Sequence, residues 1–280
     1  MRGRIPHSMR KQRITITLNP QIIKKIDQII DHKNILNRSH AIEVILKNYF
    51  KTSVETAIIL AGGKKVKKTP LFKLNGITLF EYQIEQLVKA NIKEIILITN
   101  DDKSLYDELL KNMHINGSTV TVIKEPAPTG TAGTINTLRK HLKDKSFLVL
   151  HGDVYTELNF ENLIEYHTNQ NYTGTMVLTT VNEPQKYGMA TVQGIEIVNF
   201  KEKPRKNTES NLISAGIYVL NSDVFDYIEN HKPQSMENDV FPKLARENKL
   251  ASYIYQGEWA DISYADMYER VKGRYSNNKH

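Results

Sequence analysis

TAIILAGGKKVKKTPLFKLNG, residues 56–76, sets the fold class. It opens on an uninterrupted apolar run, residues 57–60, whose length suits a strand buried on both faces of a parallel sheet. The run ends in Ala61-Gly62-Gly63, where the missing Cβ atoms let the backbone turn sharply and approach a ligand. Lys64, Lys65, Lys67 and Lys68 follow. A glycine turn at the carboxyl end of a strand, followed by basic side chains, has the makings of a phosphate cradle. A tight turn with a solvated lysine run has the same composition.

Downstream, helical and extended patterns alternate. Residues 77–92 read as a helix, 94–99 (EIILIT) as a strand, 104–111 as a helix and 119–123 as a strand. A helix over 131–143 and a buried strand over 147–150 complete the series. This predicts an α/β fold, a Rossmann-like doubly wound mixed sheet, across residues 56–275. Such sheets bind ligands at the carboxyl ends of their strands. Besides the first glycine turn, two more loops fall there. EPAPTGTAG, residues 125–133, offers Glu125 and a helix start at Gly130-Thr131, where free N–H groups face an anion or a base, or serve as a plain cap. Gly152-Asp153 places a carboxylate after the strand, suited to Mg²⁺ on phosphates or to a simple Asp turn.

At 280 residues the chain is long enough for more than one domain. It has no cysteine, hence no disulfide framework or thiolate metal site. No apolar run reaches membrane-spanning length, and the expectation is a cytoplasmic protein with no membrane partner. The net charge of +7 is unevenly placed: residues 1–51 hold 11 Lys and Arg against 3 Asp and Glu, the remainder 27 against 28. A basic head on a neutral body points to a polyanion partner.

That head begins with a basic arm, residues 1–11, in which Met9 is an alternative start. RITITL, residues 13–18, alternates strictly and reads as a strand with Ile14, Ile16 and Leu18 on one face. Asn19 and Pro20 open a helix bearing Ile22, Ile23, Ile26, Ile29 and Ile30. Ser39 reads as the N-cap of a second helix. One strand and two helices in so short a segment cannot bury their own apolar faces, so the segment is expected to dimerise.

Residues 12–51 resemble a ribbon-helix-helix DNA-binding domain of the Arc/MetJ type, in the R-I-T-I-T-L strand, the I-x-x-x-I-D-x-I-I helix and the R-S-x-A-I start of the second helix. The resemblance implies a homodimer on double-stranded DNA. Arg13, Thr15 and Thr17 would read bases, and Arg38 and Ser39 would meet the phosphate backbone.

Residues 56–272 resemble the sugar-1-phosphate nucleotidyltransferases. L-A-G-G at 60–63, E-P-x-P-x-G-T-A-G at 125–133 and G-D at 152–153 match in order. So do Tyr187-Gly188, F-K-E-K-P at 200–204, S-A-G-I-Y at 214–218, E-N-D-V-F-P at 237–242 and W-A-D-I at 259–262. The resemblance implies that Ala61, Gly62, Gly63, Glu125, Gly130 and Thr131 contact the nucleotide. It also implies that Gly188, Glu202, Lys203 and Ser214 hold the sugar phosphate, and that Asp153 and Asp261 hold Mg²⁺.

One segment departs from the family. After the glycines the family carries an arginine and a P-K-P lysine, whereas here the loop is short, lacks arginine and offers Lys64, Lys65, Lys67 and Lys68 as the remaining catalytic cations. Phosphoryl-type transfer depends on such cations, and losing the arginine costs on the order of 10³-fold in rate by analogy with arginine fingers. A lysine replaces the charge but not the bidentate fork. The leading expectation is therefore a DNA-binding transcription regulator, its transferase-like domain binding a nucleotide or nucleotide sugar as effector. The alternative is an active sugar-1-phosphate nucleotidyltransferase with an autoregulatory DNA-binding head.

Overall fold

The computed structural model describes residues 14–277 apart from 34, 52–53, 63–68, 75, 114, 116, 126–128, 205–209 and 231. The basic arm, Arg13, Gly63 and all four loop lysines lie outside the described residues. The chain divides into two compact units between Lys51 and Thr52.

The first unit holds α1 (Pro20–Gln28) and α2 (Arg38–Lys51). Asn19 caps α1, its side chain accepting from the Gln21 N–H at 2.8 Å, with Pro20 at the first position. The second helix starts earlier than expected. Asn37 Oδ1 accepts from the His40 N–H at 2.9 Å, so Asn37 is the cap and Ser39 lies inside the first turn. Arg38 joins the helices through a bidentate pair with Asp27, at 2.7 and 2.8 Å. The expected strand is not present: residues 14–18 carry no strand, and Ile14 and Ile16 are 71% and 48% exposed. A ladder needs a second edge, which this segment does not find in its own chain.

The second unit is built on a nine-stranded sheet of order β5-β4-β1-β6-β11-β8-β12-β10-β9. In chain order its strands are β1 (Thr56–Ala61), β4 (Glu94–Thr99), β5 (Thr119–Lys124), β6 (Ser146–His151) and β8 (Gly174–Thr180). β9 (Gly188–Gln193), β10 (Glu196–Glu202), β11 (Leu212–Asn221) and β12 (Leu250–Ile254) complete it. β1 is parallel to both β4 and β6, and β4 to β5, as a doubly wound core requires. The sheet is mixed because β11 runs antiparallel between β6 and β8. Ile58 and Leu60 pack on one face with Ile96 and Val149; Ala57 and Ile59 pack on the other with Leu97 and Leu148. Burial on both faces is why β1 reads as an unbroken apolar run.

A two-stranded hairpin, β2 (Lys73–Leu74) with β3 (Ile77–Thr78), precedes α3 (Leu79–Lys89). The helix begins at a capping box in which Thr78 N–H donates to Glu81 Oε2 at 2.6 Å and Glu81 N–H to Thr78 Oγ1 at 3.2 Å. α4 (Lys103–Leu110) follows close to the expected bounds. α5 (Gly130–Asn136) stops short of the expected residue 143. Thr137 Oγ1 donates back to the Thr134 carbonyl at 2.7 Å, and Arg139 turns to Asn136 Oδ1 at 2.8 Å and the Ile228 carbonyl at 2.7 Å, so side chains compete with continued helix. A second small sheet pairs β7 (Val154–Thr156) antiparallel with β13 (Trp259–Asp261), setting Asp261 opposite Val154. α6 (Phe160–Thr168), α7 (Phe241–Arg246) and α8 (Ala265–Asn277) complete the unit. Among the described residues no helix is long and apolar enough to cross a membrane.

Candidate active site

The carboxyl ends of β1, β4, β5 and β6 gather Gly62, Asn100, Glu125, His151 and Asp153 along one edge of the sheet. The topology leaves this edge open to ligands. The β7–β13 pairing brings the remote Asp261 to it, and the Ile262 N–H donates to the Asp153 carbonyl at 2.9 Å. Asp153 is 8% exposed, and burial together with the Asp261 carboxylate pushes its pKa up to about 6. Two carboxylates held near each other in a desolvated position repel unless a cation lies with them. The pair therefore fits a divalent ion shared with substrate phosphates, the usual arrangement for Mg²⁺. Among the described residues no cluster of three acidic, His or Cys ligands occurs, so a cation here relies on phosphate or water for its remaining ligands.

The residues expected at the sugar phosphate lie on the β9–β10 hairpin and on β11. Gly188 pairs with Glu202 across the hairpin. A Cβ on Gly188 would sit 2.4 Å from Phe200 Cζ and 2.8 Å from Glu202 Oε2, so glycine is what lets the Glu202 carboxylate lie over this strand. Lys203 follows at φ +42°, in the left-handed region that a lysine rarely adopts. Its N–H donates to the Tyr187 carbonyl at 3.1 Å and its Nζ lies 2.7 Å from Glu202 Oε1. Partial burial pulls Lys203 down, but the Glu202 bond and nearby acidic groups outweigh it, and its pKa is raised. It stays charged at neutral pH. Ser214 lies where β11 breaks register, with Gly216 at φ +71°, and its Oγ accepts from the Gly216 N–H at 3.3 Å.

The loop expected at the nucleotide is braced by protein contacts. Glu125 accepts from Thr129 Oγ1 at 2.9 Å, Thr134 Oγ1 at 2.5 Å and Asn100 Nδ2 at 3.2 Å. Gly130 has φ +77°, and a Cβ there would lie 2.3 Å from the Gln234 carbonyl oxygen. That same carbonyl accepts from the Ala132 and Gly133 N–H groups at 3.0 and 3.2 Å. The helix start that the sequence offered to an anion is thus partly filled by the chain. Ala61 ends β1 beside Gly62, where a Cβ would come 2.7 Å from Asn100 Oδ1.

Asn100, His151, Tyr218 and Glu237 lie among these residues and were missed as functional candidates. The Tyr218 hydroxyl bonds His151 Nε2 and lies 3.4 Å from Glu237 Oε1. Burial first, and then the surrounding carboxylates of Glu237, Glu202 and Asp153, hold the Tyr218 phenol well above its ordinary range. Tyr218 and Glu237 stood in the family-like motifs S-A-G-I-Y and E-N-D-V-F-P, which was the available signal. A cavity of about 340 Å³ lies beside Tyr187, Trp259 and Tyr264, but neither Asp153 nor Asp261 lines it.

In the head, Thr15 and Thr17 are exposed, and Arg38, expected at a phosphate, is engaged with Asp27.

Comparison with known proteins agrees with this geometry. Residues 56–277 match the family model described as Nucleotidyl transferase. Mannose-1-phosphate guanyltransferase 2 of Candida glabrata is 37% identical over 220 residues, 73% of this chain and 60% of that protein. Mannose-1-phosphate guanyltransferase of Saccharomyces cerevisiae is 37% identical over 200 residues, 69% of this chain and 55% of that protein. The chain thus spans about 60% of the length of the curated relatives it matches. Among solved structures, HddC from Yersinia pseudotuberculosis superposes with a TM-score of 0.67 at 23% identity, over 79% of this chain and 99% of that one. UDP-glucose pyrophosphorylase gives 0.66 at 16% identity, over 81% and 100%. These two establish the fold alone.

The findings overturn the leading expectation of a regulator with a non-catalytic effector domain. The relatives are named as guanylyltransferases, and the departure that motivated the regulator lies in residues 64–68, while the aspartates and the Glu202-Lys203 pair are assembled. The chain belongs to the nucleotidyl transferase family.

Proposed function

We propose that this chain is an active sugar-1-phosphate nucleotidyltransferase, which joins a nucleoside triphosphate to a sugar 1-phosphate and releases pyrophosphate. The observation that carries this is the convergence of the buried Asp153 with Asp261, which the β7–β13 pairing sets opposite Val154, while the Ile262 N–H bonds the Asp153 carbonyl. Guanosine triphosphate and mannose 1-phosphate are the first substrates to test, because the relatives bear those names. A phosphate oxygen of the sugar phosphate attacks the α-phosphorus in line. One P–O bond forms there, the bond to the β-phosphate bridging oxygen breaks, and pyrophosphate carries away the electron pair. Lys203 would hold the sugar phosphate and Glu202 the sugar hydroxyls, with Gly188 and Ser214 shaping that side. Ala61, Gly62, Gly63, Glu125, Gly130 and Thr131 would frame the nucleotide. Lys64, Lys65, Lys67 and Lys68 would neutralise the triphosphate in place of the family arginine. Asp153 and Asp261 would hold Mg²⁺, which when bound supplies charge neutralisation on the phosphates.

The head is proposed to dimerise the enzyme through residues 14–18, whose exposed Ile14 and Ile16 suit pairing with the same segment of a second copy. Its positive surplus makes double-stranded DNA the partner to test there, through Arg13, Thr15, Thr17 and Ser39.

The test is pyrophosphate release from the purified chain with Mg²⁺, guanosine triphosphate and mannose 1-phosphate, beside other triphosphates and hexose 1-phosphates. Turnover with one pair, lost in Lys203→Ala, is expected. No turnover with any pair, under conditions where nucleotides still raise the melting temperature, would overturn the proposal.

A further inference from the structure

We propose that Glu237 is a positioning residue of the transfer reaction, its carboxylate fixing the nucleotide loop against the strand ends that carry Asp153 and the sugar phosphate. This rests on the transferase reading above.

Glu237 is 16% exposed and meets groups from four parts of the fold. Thr131 Oγ1, in the first turn of α5, donates to Glu237 Oε2 at 2.6 Å. Ser235 Oγ donates to the same oxygen at 2.8 Å. On the other oxygen, the Tyr218 hydroxyl of β11 lies at 3.4 Å and His151 Nε2, at the end of β6, at 3.6 Å. The segment carrying Glu237 is also stitched to the loop through its backbone. Met236 N–H donates to Thr131 Oγ1 at 2.8 Å, Gln234 N–H to the Thr129 carbonyl at 2.9 Å, and the Gln234 carbonyl takes the Ala132 and Gly133 N–H groups. Gly130 passes so close to Gln234 that only glycine fits.

These bonds are local along each strand of contact but remote in sequence, Thr131 and Glu237 being 106 residues apart. A mostly buried carboxylate accepting two hydroxyl donors makes charge-assisted bonds, stronger than neutral ones. The loop framing the nucleotide and the strand end two residues before Asp153 therefore share one side chain. In-line transfer is sensitive to this spacing, since a misplacement of about 1 Å costs about 10²-fold in rate. Glu237 acts on the nucleotide through Thr131 and on the metal side through the Tyr218 hydroxyl, which also bonds His151.

The chemistry predicts how substitutions differ. Glu237→Gln keeps an acceptor oxygen for Thr131 and Ser235, and its amide can donate to the Tyr218 hydroxyl, so the brace survives without the charge. Glu237→Ala removes the brace. Glu237→Asp keeps the charge but withdraws it from Thr131 by one methylene, and serves if the alanine variant does not fold.

The experiment combines steady-state kinetics on guanosine triphosphate and mannose 1-phosphate with amide hydrogen exchange over residues 129–133. For Glu237→Ala and Glu237→Asp, kcat is expected to fall by about 10²-fold. The KM for sugar phosphate should stay within a few-fold, and exchange at Ala132 and Gly133 should speed up. Glu237→Gln is expected to recover most of the rate. Loss in the glutamine variant as deep as in alanine, with a raised KM for sugar phosphate, would mean that Glu237 binds the sugar directly and would overturn the proposal. So would an unchanged kcat with only a lowered melting temperature, or unchanged exchange in the loop. A wild-type chain without turnover overturns the transferase reading and the catalytic role with it; the exchange measurement separately reads whether the brace exists.

Discussion

Asp153 shows how burial and a like charge act on one side chain. Its pKa rises from 3.8 to about 6, chiefly through desolvation and then through Asp261. A carboxyl whose folded pKa is raised holds its proton more tightly in the folded chain. Its contribution to stability is therefore full at acid pH and is lost as pH climbs from about 3.8 through about 6. At pH 8 without metal the ionised group costs on the order of 1–3 kcal/mol. Asp153→Asn is expected to melt a few degrees higher than wild type at pH 8 without metal, and to lose transferase activity. Mg²⁺ should raise the melting temperature of wild type but not of the variant. Thermal-shift curves with and without Mg²⁺ check this; a lower-melting variant, or a wild type indifferent to Mg²⁺, would sink it. The aspartates were legible as residues because Gly-Asp and W-A-D-I stand in ordered motifs. Their mutual repulsion was not, because 108 positions separate them and only the β7–β13 pairing brings them together.

At the scale of elements, α6 packs on the sheet through a buried histidine. His167 Nδ1 accepts from Thr175 Oγ1 at 2.8 Å, and its Nε2–H donates to Asn221 Oδ1 at 3.1 Å. Asn221 in turn donates from Nδ2 to the Tyr172 carbonyl at 2.7 Å. Burial first, against the Asn221 bond and the Asp223 charge, holds the His167 pKa below 6.5. A depressed histidine leaves stability intact above the unfolded value and erodes it as pH falls through the folded one. The melting temperature is expected to drop by several degrees between pH 7.5 and 5, with part of that slope missing in His167→Gln. Parallel slopes for both proteins would count against the assignment. Elements were the easiest scale to read. The strand at 94–99 matched at both ends, because a run buried on both faces leaves no ambiguity of period. α5 was overextended because Thr137 and Arg139 spend their side chains on nearby carbonyls, which periodicity does not register.

For the whole molecule, the two units answer to different interactions. The transferase unit encloses its own clusters on both sheet faces. The head leaves Ile14, Ile16, Ile22, Ile29 and Ile45 exposed. Burying one such side chain is worth about 1.5–3 kcal/mol, so a second copy has ample reason to cover them. Ile16→Asp is expected to convert a dimer to a monomer in analytical ultracentrifugation while leaving kcat within about twofold, because the second unit has a core of its own. A wild-type chain that sediments as a monomer at micromolar concentration would refute the dimer.

The sequence by itself determined the α/β class and the succession along the chain of the strands at 56–61, 94–99, 119–124 and 146–151. Each of these depends on local pattern: apolar runs, glycine turns and short motifs. Tertiary structure decided the rest. The RITITL alternation predicts a strand, yet residues 14–18 have no ladder, since a strand is a property of two edges. The helix start at Gly130-Thr131 offers free N–H groups, yet the Gln234 carbonyl takes those of Ala132 and Gly133. His151, Tyr218 and Glu237 come together only when β6, β11 and the segment before α7 fold against each other. Contacts between residues so far apart in the chain leave no mark in local pattern.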